Sequence, residues 1–133
     1  MSKQFSSLSA LIAEDDSTCL RIVVKYLENL GLKRIVGVKS GEEAITQLSS
    51  AAEPFDLVIS DIEMPGMDGF ELARQIRSGV VPRYKDVPLF MLTSHSDFDN
   101  VRQSRTHRIQ GFIVKPPNAE ILERNLARVL AGK

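Results

Sequence analysis

A single cysteine, Cys19, stands in a chain of 133 residues, and one thiol can neither close a disulfide framework nor build a cysteine-based metal site within the chain. A reducing compartment is the natural setting, and the expected location is cytoplasmic. Net charge is missing too. Seventeen basic side chains cancel seventeen acidic ones, which speaks against a surface built mainly for DNA, RNA or anionic lipid. The early apolar stretch, residues 5–13, is too short and too serine-rich to span a bilayer, and the acids that follow it lack the small-residue pattern of a signal-peptide cleavage site. Neither membrane association nor direct nucleic-acid contact is therefore expected. The chain also lacks internal repeats, low-complexity tracts and linker-like changes of composition, and no Gly-x-Gly-x-x-Gly follows the first apolar run to mark a dinucleotide site.

What is present is enough for a core. With 43% hydrophobic residues, the chain fits one globular domain over residues 1–133, and its length leaves no room for a second. Residues 1–8 read as a loosely ordered N-terminal extension. Short β-type runs then alternate with helix-type runs to the end, a pattern that calls for crossover connections and a parallel sheet covered on both faces. The expected strands are Ala10–Ala13, Arg34–Val38, Asp56–Ser60, Pro88–Thr93 and Gly111–Val114, the third and fourth being almost wholly apolar and so central. The first helix is expected to start near Ser17, with the Ser17 hydroxyl as its cap, and to bury Leu20, Val24, Leu27 and Leu30 before Gly31 stops it. A second runs from Ser40-Gly41 through Leu48, a third from Gly69-Phe70 through Ile76, and a fourth from Ser96-Asp97 towards Arg108. Asn118 caps a fifth, which buries Leu122, Leu126 and Val129. The fold class is α/β, a doubly wound five-stranded parallel sheet with five helices.

Charged residues follow three of these strands: Glu14-Asp15-Asp16 after the first, Asp61 with Met64-Pro65 after the third, and Lys115-Pro116 after the fifth. If the strands are parallel neighbours, all three groups converge at one edge of the sheet. A carboxylate at a strand end can attack phosphorus in line and form an acyl phosphate. Carboxylates at positions 14, 15 and 61 would repel one another in a dry cluster, so the arrangement calls for a hard cation, and oxygen ligands with water suit Mg²⁺. Lysine supplies a point charge for a phosphoryl oxygen, and the Thr93 hydroxyl can bond to another. Asp68 reads as a turn former or helix cap, and Asp16 as an exposed acid favoured by the helix dipole.

Four segments in this order, Ile12-Ala13-Glu14-Asp15-Asp16, Asp61-Ile62-Glu63-Met64-Pro65-Gly66-Met67-Asp68-Gly69, Leu92-Thr93-Ser94 and Gly111-Phe112-Ile113-Val114-Lys115-Pro116, resemble the receiver domain of two-component response regulators, in particular chemotaxis-type receivers. The resemblance covers nearly the whole chain. It implies a flavodoxin-like receiver fold with strand order 2-1-3-4-5. It implies Asp61 as phosphoacceptor, with Mg²⁺ held by Asp15 and Asp61, by Glu14 through water or a hydrogen bond, and by the Glu63 backbone carbonyl. Thr93 and Lys115 would complete the site, and the Lys115-Pro116 bond would be cis. Thr93 and Phe112 match the family's switch pair, although phenylalanine here lacks the hydroxyl of the tyrosine often found at that position.

The same resemblance implies a phosphoryl donor, a histidine kinase or phosphotransfer protein, and a downstream effector protein docking on the face around residues 97–131. Arg102, Arg105, His107 and Arg108 make the fourth helix basic, fit for an acidic partner or for Glu120 and Glu123 of a second copy in a phosphorylation-dependent homodimer. Glu63 and His95, two places beyond the acceptor and the threonine, flank the path of attacking water and are expected to tune dephosphorylation. The chemistry is self-modification and not turnover, so the chain is not read as an enzyme. A phosphorylation-independent scaffold is the alternative. A flavodoxin-like ligand binder fits less well, because its phosphate loop would not open with three acids.

Overall fold

Each expected strand alternates side chains that must find apolar cover on opposite faces, and the computed structural model, which describes residues 4–94 and 107–132, shows both faces covered. The strands are β1 (Ser9–Ala13), β2 (Arg34–Val38), β3 (Leu57–Asp61), β4 (Leu89–Thr93) and β5 (Gly111–Val114). All pairings are parallel, in the order β2-β1-β3-β4-β5. The helices among the described residues are α1 (Ser17–Asn29), α2 (Gly41–Ser50), α3 (Gly69–Ser78) and α4 (Ala119–Ala131), with a 3₁₀ turn at Pro82–Tyr84. The expected fourth helix falls mainly on residues 95–106, outside the described residues, so the last helix of the sequence reading appears as α4. No helix of the described residues is long and apolar enough to cross a membrane.

The period of two along a strand divides the core. Leu11, Ala13, Val58, Leu89 and Met91 face Ala44 and Leu48 of α2 and Leu72, Ala73 and Ile76 of α3. The alternate positions, Ala10, Ile12, Leu57, Ile59, Phe90, Leu92 and Ile113, face Val23 and Leu27 of α1 and Leu122, Leu126 and Val129 of α4. β1, β3 and β4 are buried along their whole length, which explains their near-continuous apolar composition.

Three local expectations are corrected. The α1 cap is Asp16, not Ser17: its carboxylate accepts from Thr18 N–H at 2.9 Å and Cys19 N–H at 3.4 Å, while the Ser17 hydroxyl oxygen takes Lys39 Nζ at 2.6 Å. Both residue types cap helices, and the charged one wins at the dipole's positive end. Within α1, Val23 and Leu27 are fully buried, whereas Leu20, Val24 and Leu30 are half-buried, a rotation of the apolar stripe by one position. Residues 5–8 are not loose: Phe5 is 1% and Leu8 0% exposed, both in the α1/α4-side core, and Leu8 N–H donates to the Phe5 carbonyl at 3.1 Å. Two large apolar side chains find cover there that a serine-rich stretch does not advertise.

The long connection after α3 is held by side chains. Tyr84, 2% exposed, accepts the Phe55 N–H on its hydroxyl oxygen at 3.1 Å. Half-buried Arg77 donates to the carbonyls of Lys85 at 2.9 Å, His107 at 3.0 Å and Arg108 at 3.0 Å. It thereby ties α3 to the segment that enters β5, where Arg108 sits at φ 53°.

Candidate functional site

Parallel register decides which side chains meet. Asp61 pairs with Leu92 and Thr93 with Val114, so β3, β4 and β5 end at one edge of the sheet. The ladder runs one step further: Glu14 N–H donates to Val38, Ile62 N–H to Leu92 and Lys115 N–H to Thr93. The residues just past the strands are therefore fixed by backbone bonds and not left to loop geometry.

Glu14, Asp15, Asp16, Asp61, Ile62, Glu63, Thr93, Ser94 and Lys115 line a cleft of about 200 Å³ at this edge. Glu14 is fully buried, Asp61 and Thr93 nearly so, while Asp15 and Glu63 are exposed. Lys115 Nζ lies 3.0 Å from Asp61 Oδ2 and 3.1 Å from Glu14 Oε2. Glu14 Oε1 accepts the Asp16 N–H at 3.0 Å, but buried Oε2 has only that ion contact and no directed hydrogen bond. Carboxylate oxygens of Glu14, Asp15 and Asp61 come within 4.8 Å of one another. Three acids converging, one with a buried acceptor unsatisfied in direction, make a donor set suited to a hard cation.

Electrostatics agrees with crowding. Burial pushes the Glu14 carboxyl above its ordinary range, and the Asp61 charge adds to this against the opposing Asp16 N–H. Burial works against the Lys115 ammonium, but its contacts with Asp61 and then Glu14 outweigh that, so Lys115 is held above its ordinary value. Burial, with Glu14 next, pushes the Cys19 thiol up to about 11, which disfavours its thiolate form.

Asp61 is held from behind by α3. Asp68 caps that helix, accepting the Glu71 N–H at 2.8 Å, and Gly69 N–H donates to the Ile62 carbonyl at 2.8 Å. A Cβ on Gly69 would stand 2.3 Å from the Asp61 carbonyl oxygen, so only glycine lets the helix start this close to the strand end. The Lys115-Pro116 bond is cis.

The structure thus brings together Glu14, Asp15, Asp61, Glu63, Thr93 and Lys115. Phe112 stands apart from the cleft, half-buried against the core on the α2/α3 side. His95, Arg102 and Arg105 lie outside the described residues. His107 stacks on Phe70, ring centroids 6.1 Å apart. The sequence reading did not find Gly69 as a support of the acceptor, although Asp68-Gly69 at a helix start was the available signal. Nor did it find Ser94, Ile62 and Asp16 as lining residues.

Comparison with known proteins agrees with this geometry. The family model described as response regulator receiver domain matches residues 10–127. The chemotaxis protein CheY of Pseudomonas aeruginosa is 30% identical over 122 residues, 92% of this chain and 95% of that protein. The two-component response regulator ARR12 of Arabidopsis thaliana is 34% identical over 126 residues, 95% of this chain but 20% of that longer protein. Among solved structures, chemotaxis protein CheY4 of Vibrio cholerae superimposes with a TM-score of 0.83 at 30% identity, covering 92% of this chain and 98% of that one.

Proposed function

This chain belongs to the response regulator receiver domain family of two-component signalling, and from that premise we propose that it accepts a phosphoryl group on Asp61 from a histidine kinase or phosphotransfer protein and signals by phosphorylation-dependent binding to another protein. The observation that carries the reading is Lys115 Nζ held between Asp61 and Glu14 at 3.0 Å and 3.1 Å: a fixed cation beside a strand-end carboxylate, in a cleft open to a donor.

An Asp61 carboxylate oxygen attacks phosphorus in line. The bond from phosphorus to the donor's imidazole nitrogen breaks as the acyl phosphate bond forms, and the imidazole leaves with a proton from solvent. Lys115 pairs with one phosphoryl oxygen and the Thr93 hydroxyl donates to another, both placed before reaction by the strand ladder. Glu14, Asp15, Asp61 and the Glu63 carbonyl would hold Mg²⁺, which when bound neutralises charge that Lys115 alone leaves uncovered. Glu63 and His95 set the lifetime of the acyl phosphate by steering water. Thr93 and Phe112 carry the change outward to the effector, through the face that includes β5 and α4. The role is that of a signalling protein in the cytoplasm, modified once per cycle.

Intact mass after incubation with acetyl phosphate, with and without Mg²⁺, tests the reading. One metal-dependent phosphoryl adduct, lost in Asp61→Asn, is expected. An adduct that survives in Asp61→Asn would overturn the assignment of the acceptor. A folded protein that binds Mg²⁺ yet stays unmodified by acetyl phosphate and by phosphorylated donor proteins would leave the scaffold role.

A further inference from the structure

A second concavity lies at the opposite end of the sheet, where β3 and β4 begin. It encloses about 630 Å³, within the range of small-molecule sites. Its floor is apolar and aromatic: Phe55, Tyr84 and Val129 line it and are each less than 5% exposed. Its rim carries two acids and two arginines, Asp56, Asp86, Arg83 and Arg128. Asp86 is already paired with Arg108 at 3.1 Å, and Asp56 accepts the Ser9 N–H at 2.8 Å.

The two arginines are spent far less. Arg83 uses Nη2 on the Ala51 carbonyl at 2.8 Å and rests over the Tyr84 ring at 5.0 Å. Arg128 uses Nη1 on the Gln110 carbonyl at 3.2 Å. A guanidinium offers five N–H donors in a planar fork suited to a carboxylate, so each keeps most of its donors for a ligand. They come from different elements, the 3₁₀ turn and α4, and both line the cavity.

We propose that this cavity is a second ligand site, separate from the Asp61 cleft, that takes a planar aromatic carboxylate with its ring on the Phe55–Tyr84–Val129 floor and its anion on Arg83 and Arg128. Apolar area holds the ring, and the unspent guanidinium donors select the charge. The site does not depend on phosphorylation at Asp61, so its test can fail while the receiver reading stands.

Naphthoate titrated into the ¹⁵N-labelled protein, followed by amide shifts, provides the test, with naphthyl alcohol as the uncharged control. The expected result is saturable shifts centred on residues 55–56, 83–87 and 128–132. Weakening by about tenfold or more is expected both for the alcohol and for the Arg83→Ala/Arg128→Ala double variant, since each loses charge-assisted hydrogen bonds. The spectrum of the ligand-free variant checks that it folds. No saturable shift, or shifts centred elsewhere, would overturn the site. Equal binding of acid and alcohol, or full binding by the folded double variant, would overturn the role of the arginines.

Discussion

Replacing Gly69 by alanine sets two effects of known size against each other. At an ordinary helix position the change stabilises by up to about 1 kcal/mol, because glycine is the poorer helix former. Here the new Cβ would lie 2.3 Å from the Asp61 carbonyl oxygen and 2.9 Å from Ile62 Cα, whereas ordinary contact begins at 3.4 Å. Both obstacles are backbone, so no rotamer relieves them, and α3 or the end of β3 must move by about 1 Å. Overpacking of this kind costs roughly 1–3 kcal/mol, and the net loss expected is about 2 kcal/mol. With a urea m-value of about 2 kcal/mol/M, the midpoint should fall by about 1 M with m unchanged. The same shift misplaces Asp61 relative to Lys115, so phosphorylation by acetyl phosphate should slow by on the order of 100-fold, as misplacement by 1 Å does elsewhere. Gly79→Ala is the control: φ is +90° with nothing within 4 Å, so it should cost about 1–2 kcal/mol of backbone strain and leave phosphorylation intact. A Gly69→Ala protein with the wild-type midpoint and wild-type phosphorylation rate would refute the claim that α3 holds the acceptor.

Three further outcomes follow from the same contacts. Lys115→Met leaves Glu14 and Asp61 buried without their cation, so in EDTA stability should drop by roughly 3 kcal/mol, as when one partner of a buried pair is removed; Mg²⁺ should restore more of it than it adds to wild type, and a thermal melt indifferent to both changes would count against the pairing. In EDTA, Glu14 should make stability pH-dependent. Its folded pKa is raised, so the folded state binds the proton more tightly, and the penalty is absent below the unfolded value and grows as pH rises towards and through the folded one; Glu14→Gln should flatten that slope in urea titrations across the window. Arg77→Ala removes donors to three carbonyls, which should cost about 1–3 kcal/mol and speed amide exchange at residues 107–111; unchanged exchange there would show that the tie from α3 is dispensable.

The parts of the site most legible in the sequence are those where backbone pattern and chemistry coincide. Asp61 and Lys115 each close an apolar run of strand length, so parallel pairing alone brings them together, and the cap at Asn118 with Leu122, Leu126 and Val129 follows from helical spacing. Where two solutions lie within a fraction of a kcal/mol, the sequence does not decide. Asp16 and Ser17 are adjacent and both able to cap, and the α1 stripe turns on whether Val23 or Val24 faces the sheet. Contacts made at long range leave no local trace at all. Nothing near Gly69 announces that the Asp61 carbonyl sits against it, and nothing near Phe5 announces that α1 and α4 cover it.

Phe5 and Leu8 lie ahead of the first residue at which the receiver family match begins, residue 10. A gene-fusion boundary drawn at that residue would excise two core side chains, each of the kind whose truncation costs about 2–5 kcal/mol. When such a module is joined to other domains, the peptide entering β1 is therefore a working part of the module, and a joint placed there must supply its own apolar plug.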